Sequence, residues 1–174
     1  MSAAPLAGLG LYLIALGLER AHELRVSARN QRALVARGAA EHGRRHFPLL
    51  VAIHALLPLA LALEVLAGGA RPPTWWPAPL ALLVLAEALR LWSMAALGGL
   101  WTARIFTLPE VPRIRSGPYR WLAHPSYLAA TIDLLAAPLM FGAWRTAIGL
   151  SALNAVVITI RIRAETRALA AAVG

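Results

Sequence analysis

Residues 48–66 read PLLVAIHALLPLALALEVL. One imidazole and one late carboxylate are the only ionisable groups in nineteen residues. A helix of about 20 mostly apolar residues crosses the hydrocarbon of a bilayer. The stretch opens on a proline, whose missing N–H costs nothing at a first helical position. Gly68 and Gly69 follow it, and glycine suits a helix C-terminus. The segment therefore predicts a membrane-spanning helix.

Working outward, the same pattern recurs at about 3–18, 77–97, 125–141 and 144–162. The expected fold is an all-α integral membrane protein with about five transmembrane helices. These belong to one domain covering residues 1–174, with a cytosolic segment at 19–47 and a second at 99–124. Composition agrees: 59% of residues are hydrophobic and 14% are charged. The first apolar run has no basic residues ahead of it, so it reads as a retained helix rather than a cleaved signal. All seventeen basic residues are arginine. Seven lie in 20–47, four in 99–124 and three after residue 160, which makes fourteen on one side of five alternating spans. Arg71 and Arg145 lie on the other side, and Arg90 lies within the third span. By the positive-inside rule the N-terminus is outside and the C-terminus cytosolic. The net charge of +9 is spread over cytosolic helix ends, which suits anionic lipid and not nucleic acid. The chain has no cysteine, which excludes disulfides, thiolate nucleophiles and thiolate metal sites.

Several polar residues need partners. Residues 19–37 read as a helix stopped by Gly38. It is either an amphipathic helix on lipid or a cover over a site, with Glu23, Arg29 and Asn30 turned inward. His42 and His46 have helical i, i+4 spacing, but Gly43 between them and the absence of a third ligand argue against a metal site. Glu87 and Arg90 can pair on one helix face. Asp133 has no basic neighbour in its own span. His54 and Asn154 are candidates for interhelical hydrogen bonds.

The densest polar stretch is SGPYRWLAHPSY, residues 116–127. With Pro125 as the first helical residue, His124 is the cap. The N–H groups of Ser126 and Tyr127 then face the cytosolic mouth at the positive end of the helix dipole, a place for an anion. Arg120 adds charge there. Tyr119, Trp121 and Tyr127 offer flat faces for a purine or a sulfonium. Glu165, among Arg161, Arg163 and Arg167, can accept from ribose hydroxyls or an ammonium. The same residues also fit an interfacial aromatic belt with a solvated ion-pair cluster.

GPYRWLAHPSYL at 117–128 and RIRAETRAL at 161–169 resemble the isoprenylcysteine carboxyl methyltransferase family. Those proteins are membrane enzymes that use S-adenosylmethionine. The matching positions are Gly117, Pro118, Tyr119, His124, Pro125, Tyr127, Arg161, Ile162, Glu165 and Leu169. Ala123, Ala129 and Thr166 depart from the pattern, where arginine, glycine and a second glutamate are usual. ERAHELRVSARNQRALVARGAAEHGRRHFP (19–48) and LGGLWTARIFTLPEVPRIRSGPYR (97–120) resemble one bacterial branch. Its members are associated with type III polyketide synthases and O-methylate long-chain alkylpyrones and alkylresorcinols. The resemblance implies a bacterial cell (inner) membrane and a lipophilic small-molecule acceptor that meets the enzyme in the bilayer. It implies S-adenosylmethionine as cofactor, held by Tyr119, His124, Pro125, Tyr127, Arg161 and Glu165. Candidates for a base toward the acceptor are Glu23, His46 and His54. Alternative readings are an isoprenylcysteine-type carboxyl methyltransferase, an NADPH-dependent membrane lipid reductase and a non-catalytic membrane interaction protein.

Overall fold

The computed structural model describes residues 3–108, 111 and 113–171, the first three of these by backbone alone. Among the described residues there are five α-helices: α1 (Ala3–Ala36), α2 (Phe47–Leu66), α3 (Pro77–Leu97), α4 (Pro125–Met140) and α5 (Trp144–Ala171). Single 3-10 turns lie at Gly98–Leu100 and Gly117–Arg120. Two three-residue strands, β1 (Ala40–His42) and β2 (Ile105–Thr107), pair antiparallel with Glu41 opposite Phe106. The sequence pattern gave no sign of this ladder.

Proline occupies one of the first two helical positions of α2, α3 and α4, and Gly98 caps α3 with φ 51°. The expected bounds of those helices hold to within about one residue. Three helices are long and apolar enough to cross a membrane: Phe47–Leu66, Pro77–Leu100 and Trp144–Ala171. With 16 residues, α4 is shorter. The first helix does not break at Glu19 but runs on for 34 residues, roughly 50 Å at 1.5 Å per residue. It ends two residues before Gly38, as the sequence suggests. The last helix runs nine residues beyond the expected end at 162.

α3 packs along α4, α4 along α5, and α2 against α5. Ala129, Ala136, Ala137, Ala143 and Ala147 are essentially fully buried. Small side chains let helix backbones approach closely, the main packing device where lipid competes with core. Ile53, Leu57, Leu134, Leu150 and Val157 form one buried cluster, with Leu16 of α1 against it. Leu9, Leu61, Val65, Phe141 and Ala143 form a second. Leu11, Ile14, Leu56, Leu59, Leu63, Val84 and Val156 instead point outward. Apolar surface this extensive suits lipid and not water.

The carboxylate of the opening stretch, Glu64, has a clear role. It accepts from the N–H of Arg145 at 3.1 Å, and from the N–H and hydroxyl of Thr146 at 2.7 Å each. A carboxylate thus caps the positive end of the α5 dipole from a neighbouring helix. The α4–α5 turn closes through Gly142, with φ 74°. A Cβ there would lie 2.1 Å from the carbonyl oxygen of Arg71, so the α2–α3 connection rests directly on this turn.

Candidate active site

α4 starts at Pro125 with His124 at the cap, and α5 carries Arg161 and Glu165 one turn apart past the α4 start. His124 Nδ1 lies 3.4 Å from Glu165 Oε2. The His124 and Tyr127 rings stack with centroids 5.4 Å apart and planes 8° from parallel. Arg161 is 2% exposed; its Nη2 donates to the Ala103 carbonyl at 2.9 Å and lies 3.4 Å from the Tyr127 hydroxyl. Its guanidinium lies over the Tyr127 ring at 5.4 Å and near the Phe47 ring at 5.9 Å. The Tyr119 phenol sits beside Ser126 and Ser93, and burial pushes its pKa up. Gly117, the first residue of the second 3-10 turn, lets that turn press on α3. A Cβ at that residue, with φ 56°, would meet Ala96 at 2.8 Å and the Trp92 indole at 3.1 Å.

The expected cofactor residues Tyr119, His124, Pro125, Tyr127, Arg161 and Glu165 therefore converge. Among them, Arg161 Nε is buried without a hydrogen-bond partner, while Glu165 Oε2 faces His124 Nδ1 and Ser126 lies beside the Tyr119 phenol. Buried polar atoms without partners are costly and uncommon. A cation, a carboxylate, a hydroxyl and a stacked aromatic pair fit a zwitterionic, ring-bearing cosubstrate.

Several expectations change. The Tyr127 N–H is bonded to the His124 carbonyl at 3.1 Å, so one of the two expected anion donors is taken. Trp121 is 69% exposed and tilts against Trp92, and Arg120 lies over Trp121. Both line an open cleft with Arg113, Arg115, Tyr119 and Ala123, next to His124 in the chain. Arg163 and Arg167 are exposed, as are the departing residues Ala123 and Thr166. Ala129 is buried, where its methyl fits the helix packing.

The cover reading of α1 holds for Glu23 and Asn30 but not for Arg29, which is exposed. Asn30 donates to the carbonyls of Gly98 at 3.0 Å and Trp101 at 2.8 Å. Ser27 accepts the Ala103 N–H at 3.0 Å. One residue, Ala103, thus links α1 to Arg161 of α5. Arg104 joins Glu41 at 2.5 Å and covers the Phe47 ring at 4.3 Å. Hydrogen bonds from Arg44 and Arg104 hold the Glu41 carboxyl below the usual carboxylate range.

His42 is not paired with His46; its Nε2 meets Thr107 Oγ1 at 2.8 Å across the ladder. His46 precedes α2, with Nδ1 buried and unpartnered. Burial and then the Arg161 charge keep its pKa low, so this imidazole is neutral near neutral pH. His54 makes no interhelical bond. Its Nδ1 lies 2.9 Å from its own helix's Leu50 carbonyl, which can only accept, so Nε2 is the acceptor. Asn154 does bond across helices, to Thr131 of α4 at 3.1 Å.

The largest feature that sequence reasoning missed is a network of six ionisable side chains. Arg90 is 4% exposed and pairs with Glu87 at 2.9 Å as expected. It also meets Glu19 at 3.1 Å, Glu23 at 3.3 Å and Asp133. Arg20 reaches Glu23 at 2.5 Å, Glu19 at 2.8 Å and Asp133 at 3.3 Å. Asp133 thus finds its partners on α1 and α3. The signal was Asp133's lack of a local partner; the obscuring feature was the change from apolar to charged at Glu19.

Comparison with known proteins places this geometry. The family model for isoprenylcysteine carboxyl methyltransferases matches residues 79–171, which include both halves of the His124–Glu165 site. The Bacillus subtilis (strain 168) protein named "Uncharacterized protein YpbQ" is 35% identical over 159 residues, covering 91% of this chain and 95% of that one. An uncharacterized protein of Haemophilus influenzae is 28% identical over 151 residues, 86% of this chain and 88% of its own. No solved structure gives a significant match. Matched over more than half its length, the chain belongs to the isoprenylcysteine carboxyl methyltransferase (ICMT) family, whose members use S-adenosylmethionine.

Proposed function

We propose that this protein transfers a methyl group from S-adenosylmethionine to an oxygen of a lipid-soluble acceptor, such as a long-chain alkylpyrone or alkylresorcinol. The observation that carries the methyl-transfer reading is the buried, unpartnered Arg161 Nε beside the His124–Glu165 pair and the stacked His124–Tyr127 rings. S-adenosylmethionine, when bound, supplies a methyl already activated by its sulfonium. The chain's own work is alignment and exclusion of water. Arg161 fits the donor's carboxylate and Glu165 its hydroxyls or ammonium. An acceptor O–H must lose its proton as the oxygen takes the methyl. Neutral His46, Nε2 of His54 and Glu23 are the groups available to receive it. The alkyl acceptor reading rests on the resemblance of 19–48 and 97–120 to the polyketide-associated branch.

His124→Ala and Glu165→Ala should each weaken S-adenosylmethionine binding by roughly 1–3 kcal/mol, the usual loss for one partner of a charged hydrogen bond. Calorimetry on the folded variants measures this. Unchanged affinity in both would remove the assignment.

The same reading has five spans with the N-terminus outside. The chain has no cysteine, so each single-cysteine variant carries one reporter. Arg32→Cys and Arg115→Cys should react with a membrane-impermeant maleimide only from the cytosolic side, and Arg71→Cys only from the other. Labelling of positions 71 and 32 from one side would rule out the five-span arrangement.

A further inference from the structure

Two polar side chains of α1, Ser27 and Asn30, are only 5% and 4% exposed. They are three residues apart and so share a helix face. That face looks onto the chain between the end of α3 and β2. Gly98, with φ 51°, turns the backbone out of α3, and the chain then passes through one 3-10 turn and Trp101 to Ala103. Beyond that turn this backbone has neither helix nor ladder to satisfy it, and buried peptide groups need partners. Asn30 has two amide hydrogens to give. Its Nδ2 donates to the Gly98 carbonyl at 3.0 Å and to the Trp101 carbonyl at 2.8 Å. Ser27 Oγ accepts the Ala103 N–H at 3.0 Å. Three peptide groups of the segment are thereby fixed to one face of α1.

The consequence falls on Arg161. Its Nη2 donates to the Ala103 carbonyl at 2.9 Å. A guanidinium is planar and rigid, so holding one nitrogen sets the direction of the others. The Tyr127 and Phe47 rings, 5.4 Å and 5.9 Å from the guanidinium carbon, limit its tilt. Nε is left buried with no partner in the chain. Arg161 belongs to residues 79–171, which the family model matches, whereas Ser27 and Asn30 lie outside them.

We infer that Ser27 and Asn30 are positioning residues for donor recognition: by fixing the Ala103 carbonyl they aim Arg161 Nε at the carboxylate of S-adenosylmethionine. The inference rests on the methyl-transfer reading above. It goes beyond that reading by assigning recognition of one group of the ligand to side chains that act through a backbone carbonyl. A guanidinium–carboxylate hydrogen bond is strong but directional, and it weakens steeply as its geometry degrades. Loss of the α1 anchor should therefore be felt by the carboxylate of the ligand and not by the remainder.

The test uses the full-length protein in nanodiscs and two probes, S-adenosylmethionine and its decarboxylated analogue, which lacks only the carboxylate. Asn30→Leu keeps the volume and adds no charge but removes both donated hydrogen bonds. It should weaken S-adenosylmethionine binding by about tenfold, the usual size for one hydrogen bond to a charged group. Affinity for the decarboxylated analogue should stay within about threefold of wild type, so that the preference for the carboxylate narrows. If Asn30→Leu does not fold by circular dichroism, Ser27→Ala is the second variant, with a loss of about threefold or more toward S-adenosylmethionine alone. Ser27→Thr retains a hydroxyl oxygen and should restore wild-type affinity. Unchanged S-adenosylmethionine affinity in the folded variants, or equal losses for both probes, would overturn the inference, since a merely structural anchor weakens both alike. A wild-type protein that binds neither probe would refute the methyl-transfer reading and the inference with it, a pattern distinct from either of those two.

Discussion

Arg90→Leu should destabilise the folded protein by about 3–5 kcal/mol, the usual cost of removing one partner from a buried charged group. Leucine keeps most of the volume, so the loss is electrostatic and not a cavity effect. Arg90 is the only guanidinium in contact with all four carboxylates of the network; Arg20 touches three. Without Arg90, Glu87 loses its ion pair and Asp133 keeps only the longer contact to Arg20. Denaturant-induced unfolding in detergent, followed by circular dichroism, gives the measurement. Adding Asp133→Asn to the Arg90→Leu protein should recover part of the loss, because it removes a carboxylate left without its closest cation. A single-variant loss below 1 kcal/mol, with no recovery in the double variant, would show that the network does not hold α1 to α3 and α4.

Gly142→Ala should cost about 3 kcal/mol or more. A left-handed residue with a Cβ carries about 1–2 kcal/mol of strain. Here the methyl would also meet a backbone oxygen at 2.1 Å, and a backbone cannot rotate aside as a side chain can. Relief requires the Arg71 segment to lift away from the α4–α5 turn, with overpacking costs of a further 1–3 kcal/mol. Gly142 is at the opposite end of α4 from His124. Variant protein that remains folded should therefore keep its S-adenosylmethionine affinity. A thermal midpoint equal to wild type would contradict the tight packing of this turn.

The parts of the fold legible in the sequence were those written in local chemistry. Proline at the starts of α2, α3 and α4, and glycine at the end of α3, fixed those bounds because each residue acts on its own backbone. The cap position of His124 was legible for the same reason. The end of α5 was not, since Arg161 to Arg167 looked like a polar tail. These residues continue the helix and place Arg161 and Glu165 on one face, near His124. The β1–β2 ladder was invisible because three residues are too few to show alternation, and its partners are far apart in sequence. Arg29 was misread in direction, which depends on tertiary packing and not on residue type. Asp133 was recognised as needing a partner, but Glu19 and Arg20 were read as the boundary of the first span, and Glu23 was not connected to Asp133. Hydropathy cannot distinguish charges that enter water from charges that meet one another inside a bundle.

The Ala103 backbone, bonded to Ser27 through its N–H and to Arg161 through its carbonyl, also bears on biosynthesis. It joins α1 to α5, a helix the ribosome makes more than a hundred residues later. Until α5 emerges, the Ala103 carbonyl has no guanidinium to accept from, and the site has neither Arg161 nor Glu165. The earlier helices can be threaded into the bilayer in order, but the Arg161–Ala103 contact and the His124–Glu165 pair form only once α5 has been made. A nascent chain stopped before residue 161 therefore holds the bulk of the membrane bundle and none of the α5 contribution to its chemistry.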